Sequence, residues 1–149
     1  MRKAMAPLAA GLLLAACQGT PAELSADGGW MRLAAVKRQP AAAYVTIHGG
    51  ATDDTLISVS CDVAIRSEMH ASMRSGGIAD MKPLATVPVP ARSTVTFQPG
   101  GRHLMLFDVN PGVKPGGSYV PRLTLTFASG RRVVARATVV GAGDPAPAA

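Results

Sequence analysis

From residue 42 onward the chain alternates apolar and polar positions in short bursts, each closed by turn residues. The bursts are AAYVTIH (42–48), TLISVSC (55–61), VAIRSEMH (63–70), IADMKPL (78–84), STVTFQ (93–98), HLMLFDV (103–109), RLTLTFA (122–128) and RRVVARATVV (131–140). LTLTF alternates without a break, the pattern of a strand with one face in a core and one toward water. Gly49-Gly50, Gly76-Gly77, Pro99-Gly100-Gly101, Pro111-Gly112, Pro115-Gly116-Gly117 and Ser129-Gly130 separate the bursts. Such residues supply the fixed or positive φ that turns require. No segment sustains a 3.6-residue period. Seven or eight strands at this spacing predict an all-β fold, a Greek-key β-sandwich.

The N-terminus breaks the pattern. MRKAMAPLAAGLLLAAC begins basic and continues with a short apolar run, which predicts a signal peptide over 1–16, too short to span a membrane as a mature helix. It ends Leu14-Ala15-Ala16-Cys17, which resembles the lipobox of bacterial lipoproteins. The resemblance implies that Cys17 is diacylated and becomes the new N-terminus, leaving the protein periplasmic and lipid-anchored to a bacterial membrane. An ordinary cleaved signal is the alternative. Gln18, where an Asp would signal inner-membrane retention, leans toward the outer membrane. Residues 17–29 read as lipid anchor and flexible tether, 30–140 as one domain, and 141–149 as a disordered tail.

Composition adds little to this and removes some options. The chain has 149 residues, enough for one domain with a core. Net charge is +6, and +4 once Arg2 and Lys3 leave with the signal. The basic residues are scattered and not interleaved with aromatics, which suits solubility or an acidic partner and argues against nucleic acid. With Cys17 carrying lipid, Cys61 has no disulfide partner, and its place in LISVSC predicts a buried core thiol.

The remaining question is chemical. Four of the five mature-chain methionines, Met69, Met73, Met81 and Met105, fall in the same window as His70 and His103. His103 and Met105 are two apart on one strand and share a face. A hairpin folded about Ser75 and Gly76 sets position 70 directly opposite position 81, about 5 Å away. Two imidazoles and two thioethers form a neutral, soft donor set suited to copper, Cu(I) especially, and unsuited to magnesium or calcium. Thioethers also survive an oxidising compartment where a cysteine pair would become a disulfide. Met69 and Met73 should face the other side of the strand. A bulge near the turn would bring Met73 in as an auxiliary ligand. His48 reads as a surface residue, Trp30 as a core anchor, and Arg74, Lys82 and Arg102 as a solvated rim around the site.

The spacing of His70, Met81, His103 and Met105 resembles the H-x10-M-x21-H-x-M signature of the periplasmic PCu(A)C copper chaperones. EMH (68–70), DMKP (80–83), PGGRHLMLFDV (99–109) and YVPRLTLTFASG (119–130) also resemble that family's blocks, as do GGWMR, AAAYVTIHGG and DDTLISVS nearer the start. The resemblance implies a cupredoxin-like sandwich in which His70, Met81, His103 and Met105 hold Cu(I). It implies delivery to a copper-accepting protein, either the copper A centre in cytochrome c oxidase subunit II or another copper chaperone. The tail carries neither His nor Met, so one principal site is expected. Two other readings compete: a metal-free periplasmic interaction module, and a blue-copper electron-transfer protein, which needs a Cys thiolate beside two His. An enzyme is not expected, because no nucleophile–base pair stands out.

Overall fold

In a computed structural model, which describes residues 22–75 and 78–148, the chain forms eleven strands and, among the described residues, no helix. They are β1 (Ser25–Arg32), β2 (Ala41–His48), β3 (Asp54–Cys61), β4 (Ala64–Ser75), β5 (Ile78–Leu84), β6 (Val87–Val89), β7 (Thr94–Phe97), β8 (Arg102–Val109), β9 (Arg122–Phe127), β10 (Arg132–Arg136) and β11 (Thr138–Val140). One sheet runs β11-β1-β2-β8-β4-β5, with β7 also paired to β2. The other runs β10-β9-β3-β6. Neighbours such as β2, β8 and β4 are distant in sequence, so the connections cross between sheets as in a Greek key.

The core lies between the inner faces. Leu123, Leu125 and Phe127 of β9 are fully buried, while the intervening threonines are only partly covered. In the facing sheet Leu104 and Leu106 of β8 and Met69 of β4 point inward. The period of two in RLTLTF and HLMLF thus becomes two interdigitating layers. In β3 the run LISV departs from alternation: a bulge between Leu56 and Ser58 buries Leu56 and Val59 but leaves Ile57 exposed. Cys61 is buried in this core, as expected, and burial pushes its thiol pKa up.

Several expectations need correction. The ordered domain starts inside the stretch 17–29 read as tether, since Leu24 is buried and β1 begins at Ser25. β1 was hidden because Gly28, at φ +60°, and a bulge between Asp27 and Trp30 interrupt its alternation. The short β6 was also missed. The single run 131–140 is two strands: β10 pairs with β9, then the chain changes sheets at Ala137 and β11 runs parallel to β1. The first residues of the supposed tail are tied down as well. Arg32 donates to the carbonyls of Gly141, Ala142 and Asp144, and the Asp144 carboxylate accepts the Gly141 amide at 2.7 Å. Trp30 is not in the core. Its neighbour Met31 is, fully buried, while Trp30 lies on the outer face against Tyr44, ring centroids 4.3 Å apart, with Arg32 above it. The signal peptide 1–16 and Cys17 lie outside the described residues.

Candidate metal centre

The outer face of β4 and β8 carries the candidate donors. With Met69, Leu104 and Leu106 turned inward, alternation sends Glu68 and His70 of β4, and His103, Met105 and Phe107 of β8, to the other side. The antiparallel register sets His70 opposite His103, and Glu68 opposite Met105. The two imidazole centroids are 5.9 Å apart, with 30° between ring planes. Although on the outer face, both rings are sheltered: His103 is 7% exposed and the His70 side chain 12%.

Each ring is fixed by an acceptor. Pro99-Gly100 makes the β7–β8 turn, with Gly100 at φ +78° and the Gly101 amide donating to the Gln98 carbonyl at 3.0 Å. This is type II geometry, which requires glycine at its third position. The turn places the Gly101 carbonyl where His103 Nδ1–H donates to it at 3.1 Å. A carbonyl can only accept, so the neutral ring keeps its lone pair on Nε2. For His70 the polarity is reversed: Nε2–H donates to Glu68 Oε2 at 2.9 Å, leaving the lone pair on Nδ1. His70 Nδ1 is buried with no hydrogen-bond partner. Only Ser67 Oγ, by alternation on the other face, shares that condition among the described residues. A buried imidazole nitrogen that makes no hydrogen bond costs stability unless something else uses its lone pair. Burial also pushes the His70 pKa below the ordinary histidine value, and Arg66 neutralises the adjacent Glu68 that would otherwise favour the imidazolium.

Met81 reaches the correct face by a different register. Ser75 pairs with Ile78, Ser72 with Met81, and His70 with Pro83, so the register is not that of a hairpin folded about Ser75 and Gly76. A shift of two residues preserves the face but moves Met81 one pair toward the hairpin end. Met81 and Met105 then lie two strands and four residues apart, on the order of 16 Å between Cα atoms in a flat sheet. The structure gathers His70, His103 and Met105, and leaves Met81 on their face but 55% exposed. Both sulfurs reach one ion only if the β4–β5 hairpin curls toward β8.

The other candidates sort clearly. Met69 is core. The β4–β5 register runs without a bulge from Met69 to Ser75, so Met73 stays on the face opposite His70, exposed, and its expected route to the metal is absent. Lys82 and Arg102 both pair with Ala71 and share its parity, so they border the other face of the sheet. His48 is at the surface, bonded to Asp27 at 3.0 Å. Among the described residues no cluster of three His, Cys, Asp or Glu could hold a metal, so any site here depends on thioethers. Sequence reasoning missed Glu68. The signal was present in E-x-H, two residues apart on one face, and was passed over because a carboxylate does not belong in a soft donor set.

Solved structures with this fold include PCuAC domains. The apo PCuAC domain of PmoF2 matches with a TM-score of 0.64 at 20% identity, over 85% of this chain and 99% of that one. Its copper-bound form gives 0.62 at 20%, over 81% and 97%. The Cu(I) form of DR1885 from Deinococcus radiodurans gives 0.59 at 27%, over 84% and 82%. No curated protein matches the chain significantly. The architecture is the cupredoxin-like sandwich that the sequence resemblance implied. A family model for LpqE-like putative lipoproteins matches residues 24–139, most of the chain, and the chain belongs to that LpqE-like family.

Proposed function

We propose that the protein is an extracytoplasmic copper chaperone that binds Cu(I) through His70, His103, Met105 and Met81 and passes it to a copper-accepting protein. One observation carries the reading: two sheltered imidazoles face each other across β4 and β8, His70 Nδ1 is buried without a partner, and Met105 shares their face. Two nitrogens and a sulfur on one outer face of the sheet suit a soft cation that must be captured and released. Structures of the same fold, described as copper-bound for PmoF2 and Cu(I)-bound for DR1885, support the choice of metal. The family's description as putative lipoproteins supports diacylation at Cys17, with the domain held in the periplasm by an anchor in a bacterial membrane. The acceptor is the copper A centre of cytochrome c oxidase or another copper carrier. The protein performs no reaction of its own.

The blue-copper alternative lacks its ligand. Cys61 is buried in the core on β3 of the other sheet, whereas the imidazoles occupy an outer face. Competition for Cu(I) against a chromophoric chelator, with X-ray absorption on the loaded protein, tests the proposal. One Cu(I) per chain with sulfur and nitrogen neighbours is expected. A stoichiometry near zero leaves a metal-free interaction module.

A further inference from the structure

One chain of contacts outside the four donors ends on the site. The Arg66 guanidinium lies 3.7 Å from the centroid of the Phe107 ring, and Arg66 pairs with Glu68 Oε1. Glu68 Oε2 accepts from His70 Nε2. Residues 66, 68 and 70 share one face of β4, and Phe107 is the cross-strand partner of Arg66. The other ion pairs among the described residues, His48–Asp27 and Arg122–Asp62, adjoin no thioether.

We propose that Glu68, held by Arg66, is a positioning residue for the copper site: it takes the Nε2–H of His70 and so presents Nδ1 to the metal, while the Gly101 carbonyl presents Nε2 of His103. This rests on the copper reading above and assigns the coordinating atom of each ring. A neutral imidazole offers one donor and one acceptor, so an acceptor on one nitrogen commits the lone pair of the other. A carboxylate in that position also raises the basicity of the ligating nitrogen and stops the ring from turning. Arg66 has a second effect. With Oε1 engaged by Arg66 and Oε2 by His70, the carboxylate's charge is already met within the protein. The donor set stays neutral and soft, which favours Cu(I) over harder ions.

The test uses the full chain. Long-range ¹⁵N spectra of the apo protein should show the His70 proton on Nε2 and the His103 proton on Nδ1. Glu68→Ala should give His70 mixed tautomers and weaken Cu(I) binding by roughly 10–100-fold, the usual cost of losing an outer partner of a ligating histidine. Glu68→Gln, whose amide oxygen still accepts, should retain most of the affinity, with Arg66→Gln falling between. A wild-type His70 protonated on Nδ1, or Glu68→Ala binding Cu(I) as tightly as wild type, overturns the proposal. His70→Ala and Met105→Ala separate the two claims: if they too bind normally, the copper reading itself fails. If they lose copper while Glu68→Ala does not, only the positioning role is lost. Should Glu68→Ala not fold, the wild-type tautomer spectrum decides alone.

Discussion

Burial divides the methionines, and the copper reading assigns a ligand role only to exposed or half-covered ones on the histidine face. Met31 is completely enclosed by the core, whereas Met105 is half-covered and Met81 open on the histidine face. Met31→Ala should cost about 2–5 kcal/mol of stability, as core truncations do, and leave Cu(I) affinity unchanged. Met105→Ala and Met81→Ala should do the reverse, leaving thermal unfolding nearly unaltered and weakening Cu(I) binding by more than the loss of an outer partner does. Thermal melts and chelator competition on the three variants check this, and equal effects on affinity would discredit the site. The identities of these residues were legible in the sequence through spacing. Whether a given Met was core or ligand was not, because Met fills gaps and binds metals with the same side chain.

Protonation acts at the same scale. Burial lowers the pKa of His70 in the folded protein. The group is therefore easier to protonate when unfolded, at about 6.5, and the apo fold loses stability as pH falls below that value. Above it the contribution is complete and flat. Apo melting temperature should hold steady from pH 7.5 to 6.5, then decline, with a weaker decline in His70→Gln. Protons compete with Cu(I) for His70, so Cu(I) affinity should also fall on acidification, and burial moves the onset for this residue below the ordinary histidine value. A melting temperature that rises on acidification would show the sign to be wrong.

At the level of elements, the β4–β5 hairpin decides whether the site has three donors or four. Its register puts Met81 on the correct face and too far from Met105 for a single ion without bending. A hairpin at the edge of a sheet is free on one side, which makes such bending feasible. Adding Cu(I) should shift the Met81 methyl resonance together with that of Met105, in a protein labelled at methionine methyl groups. The resonances of Met73 and Met31 should stay in place. A stationary Met81 would limit the site to His70, His103 and Met105. Sequence reasoning located this hairpin but misjudged its turn by one residue at each side of the connection, and parity rescued the face. It missed β1 because Gly28 and a bulge break the alternation on which strand reading depends. It merged β10 with β11 because a chain that changes sheets at Ala137 keeps an apolar pattern throughout.

For the whole molecule, the proposed attachment and the proposed delivery belong to different parts of the chain. The site opens on an outer face of the sandwich, away from the core, so an acceptor can approach it directly. The chain's net positive charge favours an acidic partner, through an attraction that weakens with salt. If Cys17 carries lipid, Cys17→Ser should move the protein from the membrane fraction to the soluble fraction while Cu(I) affinity in vitro is unchanged. Retention in the membrane fraction would remove the lipid anchor from the account.

The sequence alone determined the all-β class and the sandwich, and named the proposed donors, because alternation, turn residues and soft-ligand chemistry are properties of residue types at short spacing. Tertiary structure decided which donors meet. The pairing of β4 with β8 joins positions 33 residues apart, His70 and His103, and register between distant strands is set by core packing that no local pattern encodes. The same packing brought Glu68 and the Gly101 carbonyl against the two rings, and with them the choice of nitrogen that each histidine turns toward the metal.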